Sequence, residues 1–290
     1  MMKAAVFCIC VILVGSAFAQ DFNVPVEKLG DEFQFTEGPV WIAATGELLF
    51  SDIPANRIIC FKNDKFTTFR SPSNNSNGLT LDKERRLIAC EHGLRRVTRT
   101  ESDGTITVLA ERYEGKRLNS PNDVAVKSDG AIYFTDPPYG VRREERELNF
   151  QGVYRISPDG RALTLLAKDF IKPNGLAFTP DEKTLYIDDT ERGHIRAFDV
   201  KPDGTITNGH VFARAPSTDG MKVDTAGNVY CACRDGVMMF DPTGKPLGMF
   251  PTPQQPTNCA FGDADWKTLY ITCRPSVCRL RLAVPGLKAP

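Results

Sequence analysis

Six segments of this chain repeat one pattern, and that repetition constrains its fold more than any other feature. Each opens on a polar residue, continues as an apolar alternation and ends in a second apolar run. The openings are "EGPVW" at Glu37, "NGLTL" at Asn77, "NDVAV" at Asn122, "NGLAF" at Asn174, "DGMKV" at Asp219 and "NCAFG" at Asn258. These lead residues stand 40, 45, 52, 45 and 39 positions apart, and each second run ends 14 or 15 residues further on, at Asp52, Glu91, Asp136, Asp189, Cys233 and Cys273. A third run follows in most units, among them "RIICFK", "GVYRIS", "HIRAFDV", "GVMMFDP" and "VCRLRL". Period-two alternation, β-branched and aromatic enrichment, and Ser-Asp-Gly, Pro-Asp-Gly and Pro-Thr-Gly turns predict antiparallel strands. A fixed period of this length is the mark of a repeat architecture.

Six units of three or four short strands predict an all-β, six-bladed β-propeller, in which each blade buries its faces against its neighbours around a central channel. The sixth unit runs out after its third strand, near Leu282, whereas "VEKLGDEFQF" (26–35) is a strand ahead of the first unit. The N-terminal strand is therefore expected to complete the last blade, which also removes an exposed edge. Residues 20–290 are read as a single propeller domain.

Residues 1–19, "MMKAAVFCICVILVGSAFA", combine one Lys, a short apolar stretch and small residues at Ala17 and Ala19. They read as a signal peptide cleaved near Ala19/Gln20, so the mature chain is expected to be secreted or periplasmic, with no membrane span. Thirty-six basic residues balance 36 acidic ones. That balance favours neither nucleic acid nor an acidic membrane surface as partner and points to a small, weakly charged molecule. Beyond the signal, seven cysteines remain, Cys60, Cys90, Cys231, Cys233, Cys259, Cys273 and Cys278, all within strand-like apolar runs. There they read as small hydrophobes rather than as a redox or zinc site. Their pairing is left open, and a monomer is the default.

Equivalent positions of a propeller's blades face the axis at similar depth. Glu37, Asn77, Asn122, Asn174, Asp219 and Asn258 should therefore converge, and all six carry a side-chain oxygen. Two carboxylates and several amides, without His or Cys, form a hard ligand set suited to calcium. His92 is expected at the channel mouth as a proton carrier or substrate contact, or else as a surface or core histidine. His194 and His210 read as structural, Asp136 and Asp189 as network or turn residues first. Tyr139 either walls the pocket or packs its own loop.

Taken together, "EGPVW", "ACEHGLRRVTR", "RLNSPNDVAVKSDGAIYFTDPPYG", "PNGLAF", "HIRAFDV" and "DGMKVDTAGNVY" resemble the gluconolactonase branch of the family of senescence marker protein (regucalcin) and luciferin-regenerating enzyme, in order along the mature chain. The resemblance implies a six-bladed propeller with one catalytic divalent metal, most often calcium, with magnesium, manganese and zinc as the other candidates, hydrolysing sugar lactones. It matches Glu37, Asn174 and Asp219 to the metal ligands and Asn122 to the asparagine that lines the same site and touches metal or substrate. Asn77, Asn258 and His92 fall to the surrounding substrate pocket. The spacing at Arg117-Leu-Asn119 departs from that of the animal branch, so Arg117 is given no role. Asp219 is expected to act as base toward water or as nucleophile. An organophosphate triester hydrolase and a non-catalytic sugar- or protein-binding propeller are the alternatives.

Overall fold

In a computed structural model that describes residues 20–289, the expected ring is formed by six four-stranded antiparallel sheets. Residues 1–19, which the sequence reads as a signal peptide, lie outside the described residues. Blades I to VI begin on the inner strands Thr36–Ile42, Ser76–Leu81, Val124–Val126, Pro173–Phe178, Met221–Val223 and Asn258–Gly262. Each then runs outward through consecutive hairpins. Burial falls along the same path: blade I is buried on Leu48 through Asp52 of its second strand, whereas its outermost strand, Lys65–Arg70, is largely exposed. A two-stranded hairpin, Arg112–Tyr113 with Lys116–Arg117, separates blades II and III.

The N-terminal strand is shorter than the sequence suggests, Glu27–Gly30, and pairs antiparallel with Ser276–Arg281 as the outer edge of blade VI. The sheet shifts register between Lys28 and Gly30. Beyond that shift the chain turns inward, where the backbone N–H groups of Gln34 and Phe35 are held by a side chain of blade I.

Each interface between adjacent blades has its own core. Leu48, Phe50 and Ile59 of blade I pack with Ala260, Tyr270 and Val277 of blade VI, which closes the ring. The blade V–VI core centres on Tyr230, Phe250, Phe261 and Leu269. The two faces of most inner sheets are therefore both apolar, which explains the near-continuous hydrophobic runs in the second strands. All seven cysteines are unbridged and buried, and they pack within these cores as small apolar side chains.

The inner strands end around an apolar chamber of about 210 Å³ at the far end of the channel, lined by Val40, Leu79, Val126, Phe178, Phe261 and Leu287. The C-terminal segment crosses this end. Leu287 N–H donates to the Val223 carbonyl at 3.0 Å, and Thr225 N–H donates to Pro285 at 2.9 Å.

Candidate active site at the head of the channel

The six lead residues sit at or beside the start of the inner strands, and neighbouring blades fix each against the next. Ser51, paired across blade I with Glu37, donates its hydroxyl to the Asn77 carbonyl at 2.8 Å. Gly78 N–H donates to the Asn122 carbonyl at 2.8 Å. Thr135 donates its hydroxyl to the Asn174 carbonyl at 2.7 Å, and Gly220 N–H donates to Thr257 at 2.8 Å. The Asn258 amide donates to Glu37 Oε2 at 3.1 Å and completes the circle.

Glycine after the lead residue is what permits this spacing. A Cβ on Gly78 would stand 2.5 Å from the Asn122 carbonyl oxygen, and one on Gly175 would stand 2.5 Å from that of Asp219. Real Cβ atoms do not come so close, so a side chain at either position would push the blades apart.

A second device sets the height of the lead residues. Asp136, at the end of its blade's second strand, accepts the backbone N–H groups of Asn119 and Ser120, both at 2.7 Å, two and three residues before Asn122. Asp52 does the same for Gln34 and Phe35 ahead of Glu37. Asp189 does so for Ile171 and Lys172 ahead of Asn174. Asp136 and Asp189 are thus network residues, as the sequence suggests. Burial pushes the Asp136 carboxyl up to about 7, against the pull of the two N–H groups and Arg95.

The ring is more acidic than its lead residues alone. Asp123, beside Asn122, is 2% exposed, and Asn258 Nδ2 reaches its Oδ2 at 3.4 Å from the opposite side of the channel. Burial and the charge of Asp123 push Glu37 up to about 7, opposed by the Gly38 N–H, Asn258 and Lys222. Burial, then Glu37 and Asp123, hold Asp219 well above the usual carboxylate range, while the Asn174 amide and the Gly220 N–H pull it down. Asp188 lies behind Asp219, and burial and that neighbour raise it too. Its Oδ2 accepts from Gly175 N–H at 3.1 Å, and its Oδ1 is buried without a protein partner.

All six lead side chains carry an oxygen, as the sequence shows, but the amides divide their work. Asn258 turns its oxygen to the Cys259 N–H at 2.8 Å and to the Lys222 ammonium at 3.4 Å, so it offers the carboxylates its N–H donors instead. Asn174 spends Nδ2 on the Thr190 hydroxyl at 3.1 Å, with the Tyr139 phenol at 3.5 Å, which leaves its oxygen uncommitted by these bonds. Tyr139 thus lies against a lead residue. Asn77 approaches His92 Nε2 through Nδ2 at 3.2 Å, and its Oδ1 is buried with no protein partner. Burial lowers His92 to about 4, so the ring is neutral at ordinary pH. His194 stands in blade IV and His210 on that blade's exposed outer strand, away from the ring.

This chemistry fits a hard cation. Mutually destabilised carboxylates, an orphaned amide oxygen at Asn77 and an uncommitted one at Asn174 are the donors such an ion takes. Among the described residues no three or more His, Cys, Asp or Glu side chains form a metal-holding set by themselves, so amide oxygens are needed to complete one.

The chain is similar to known proteins over most of its length. The chain is 33% identical to a gluconolactonase of Zymomonas mobilis, over 92% of this chain and 83% of that protein. It is 29% identical to a pentonolactonase of Haloferax volcanii, over 81% and 80% of the two chains. The solved structure of a gluconolactonase from Xanthomonas campestris superposes with a TM-score of 0.85 at 39% identity, covering 91% of both chains. Residues 35–274, from just ahead of Glu37 to the end of the last blade's second strand, match the family described as SMP-30/Gluconolactonase/LRE-like region, and the chain belongs to that family.

Proposed function

We propose that the protein hydrolyses sugar lactones at the head of the channel with the help of one divalent cation, calcium by the hardness of the donor set. The observation that carries this reading is the convergence of Glu37, Asp123 and Asp219 with several amides at one channel end, in a chain this similar to gluconolactonases.

Glu37, Asn122, Asn174 and Asp219 would hold the cation, with Asn77, Asn258 and His92 around the substrate. When bound, such an ion polarises the lactone carbonyl and offsets the charge that the oxygen gains. The residues do the rest. Asp219 would accept the proton of the attacking water at its carboxylate or attack the carbonyl itself; the cation beside it favours its charged form, and so weak a base suits an activated ester such as a lactone. Asn174, tied to Thr190, whose hydroxyl in turn donates to the Thr218 carbonyl at 2.7 Å, keeps its amide beside Asp219. Neutral His92 offers a ring nitrogen to sugar hydroxyls without adding charge. The same reading takes residues 1–19 as an export signal and 20–290 as one monomeric domain.

A pH-stat assay with glucono-lactone decides it. Acid release above background that stops with a chelator and returns with calcium is the expected result. Hydrolysis of a fluorophosphate in preference to every lactone tried, or ion binding without any turnover, would replace it with a phosphotriesterase or a binding propeller.

A further inference from the structure

Lys222 has no place in that chemistry, yet it occupies the channel. It follows Asp219 by three residues on the inner strand of blade V, and its ammonium rests on oxygens rather than on a carboxylate: the Met221 carbonyl at 3.0 Å and Asn258 Oδ1 at 3.4 Å. Its side chain is half-buried and also lines the chamber at the far end of the channel. The Asn258 amide supplies the connection. Its oxygen faces Lys222, while its nitrogen donates to Glu37 Oε2 at 3.1 Å and to Asp123 Oδ2 at 3.4 Å. One side chain therefore stands between a positive group and two negative ones, and Asp123 is the carboxylate for which the ligand set above has no use.

We propose that Lys222 and Asp123, facing each other across Asn258, are a charge-setting pair that makes the ring select a divalent over a trivalent hard cation. This rests on the reading that the ring holds a cation. The extra carboxylate deepens the negative potential, and the ammonium offsets it, so the field at the ring is that of Glu37 and Asp219. Two ions of similar radius and oxygen preference but different charge, calcium and terbium(III), respond to that field in proportion to their charge, and the ratio of their affinities reports it.

Calcium and terbium(III) are titrated calorimetrically into the chelator-stripped full chain. Lys222→Met should raise the preference for terbium about tenfold, the order expected for one unit charge at this range. Asp123→Asn should lower it by a similar factor, and the double variant should return it to within about twofold of the parent. Lys222→Gln replaces Lys222→Met if the latter does not melt cooperatively; if neither folds, Asp123→Asn decides alone. An unchanged ratio in the folded variants, or shifts of the same sign, overturns the charge-setting role alone. A parent chain that binds neither ion overturns the cation reading with it.

Discussion

Asp219 is held in a state that favours its chemistry over its stability. Burial and two neighbouring carboxylates make its ionised form costly, and groups of that kind concentrate at working sites. Asp219→Asn should lower lactone turnover by about 10²–10⁴-fold, the usual weight of a positioned base, while the melting temperature without divalent ions stays level or rises. Calorimetry and the pH-stat assay on one preparation check both. His92 makes the converse case. Burial lowers it from 6.5 to about 4, so the folded state disfavours its charged form. The stability it supports is intact above pH 6.5 and is lost as the pH falls toward 4. Water at the mouth screens part of this, which leaves about 1–2 kcal/mol. His92→Gln should therefore lose less stability than the parent between pH 7.5 and 4.5 in urea titrations.

Among the elements, the carboxylate clamps govern where the lead residues sit. Asp136 is fully buried and holds two N–H groups of the segment that delivers Asn122. Asp136→Ala leaves both donors buried and unpaired, which costs about 2–4 kcal/mol. Urea unfolding should show that loss, and calcium affinity should drop with it because Asn122 is no longer held. The strands and their turns were readable in the sequence because period-two alternation and Gly-bearing turns are local signals. Asp123 and Lys222 were not. Asn-Asp before a strand reads as a turn cap, and Asp123 does accept the Val124 N–H at 2.9 Å. A lysine in an alternating strand reads as facing solvent. Only closure of the ring turns that face into a channel wall, and the same closure decides that Asn258 presents its nitrogen.

For the whole molecule, the ring depends on one seam. Glu27–Gly30 covers the edge of Ser276–Arg281, and Arg279 reaches the Glu27 carboxylate through Nε at 2.8 Å and Nη2 at 3.0 Å. A chain starting at Asp31 leaves that edge unpaired. It should melt at lower temperature and enter larger species in gel filtration, as open edges template association; a monomeric chain with the parent's melting point would show that the seam contributes little. The sixfold arrangement was legible because repetition is itself a global signal. The division of labour among its amides was not, because it depends on which neighbour each side chain meets across the axis.

Residues Glu27 and Arg279, which meet at that seam, are separated by 252 positions. A ribosome delivers the first of them long before the second, so the earliest strand must stay unattached through most of synthesis. Blades I to V can assemble in turn from near neighbours, but the circle can be locked only once Ser276–Arg281 has been made. Folding to the native state thereby carries a slow closing step of high contact order.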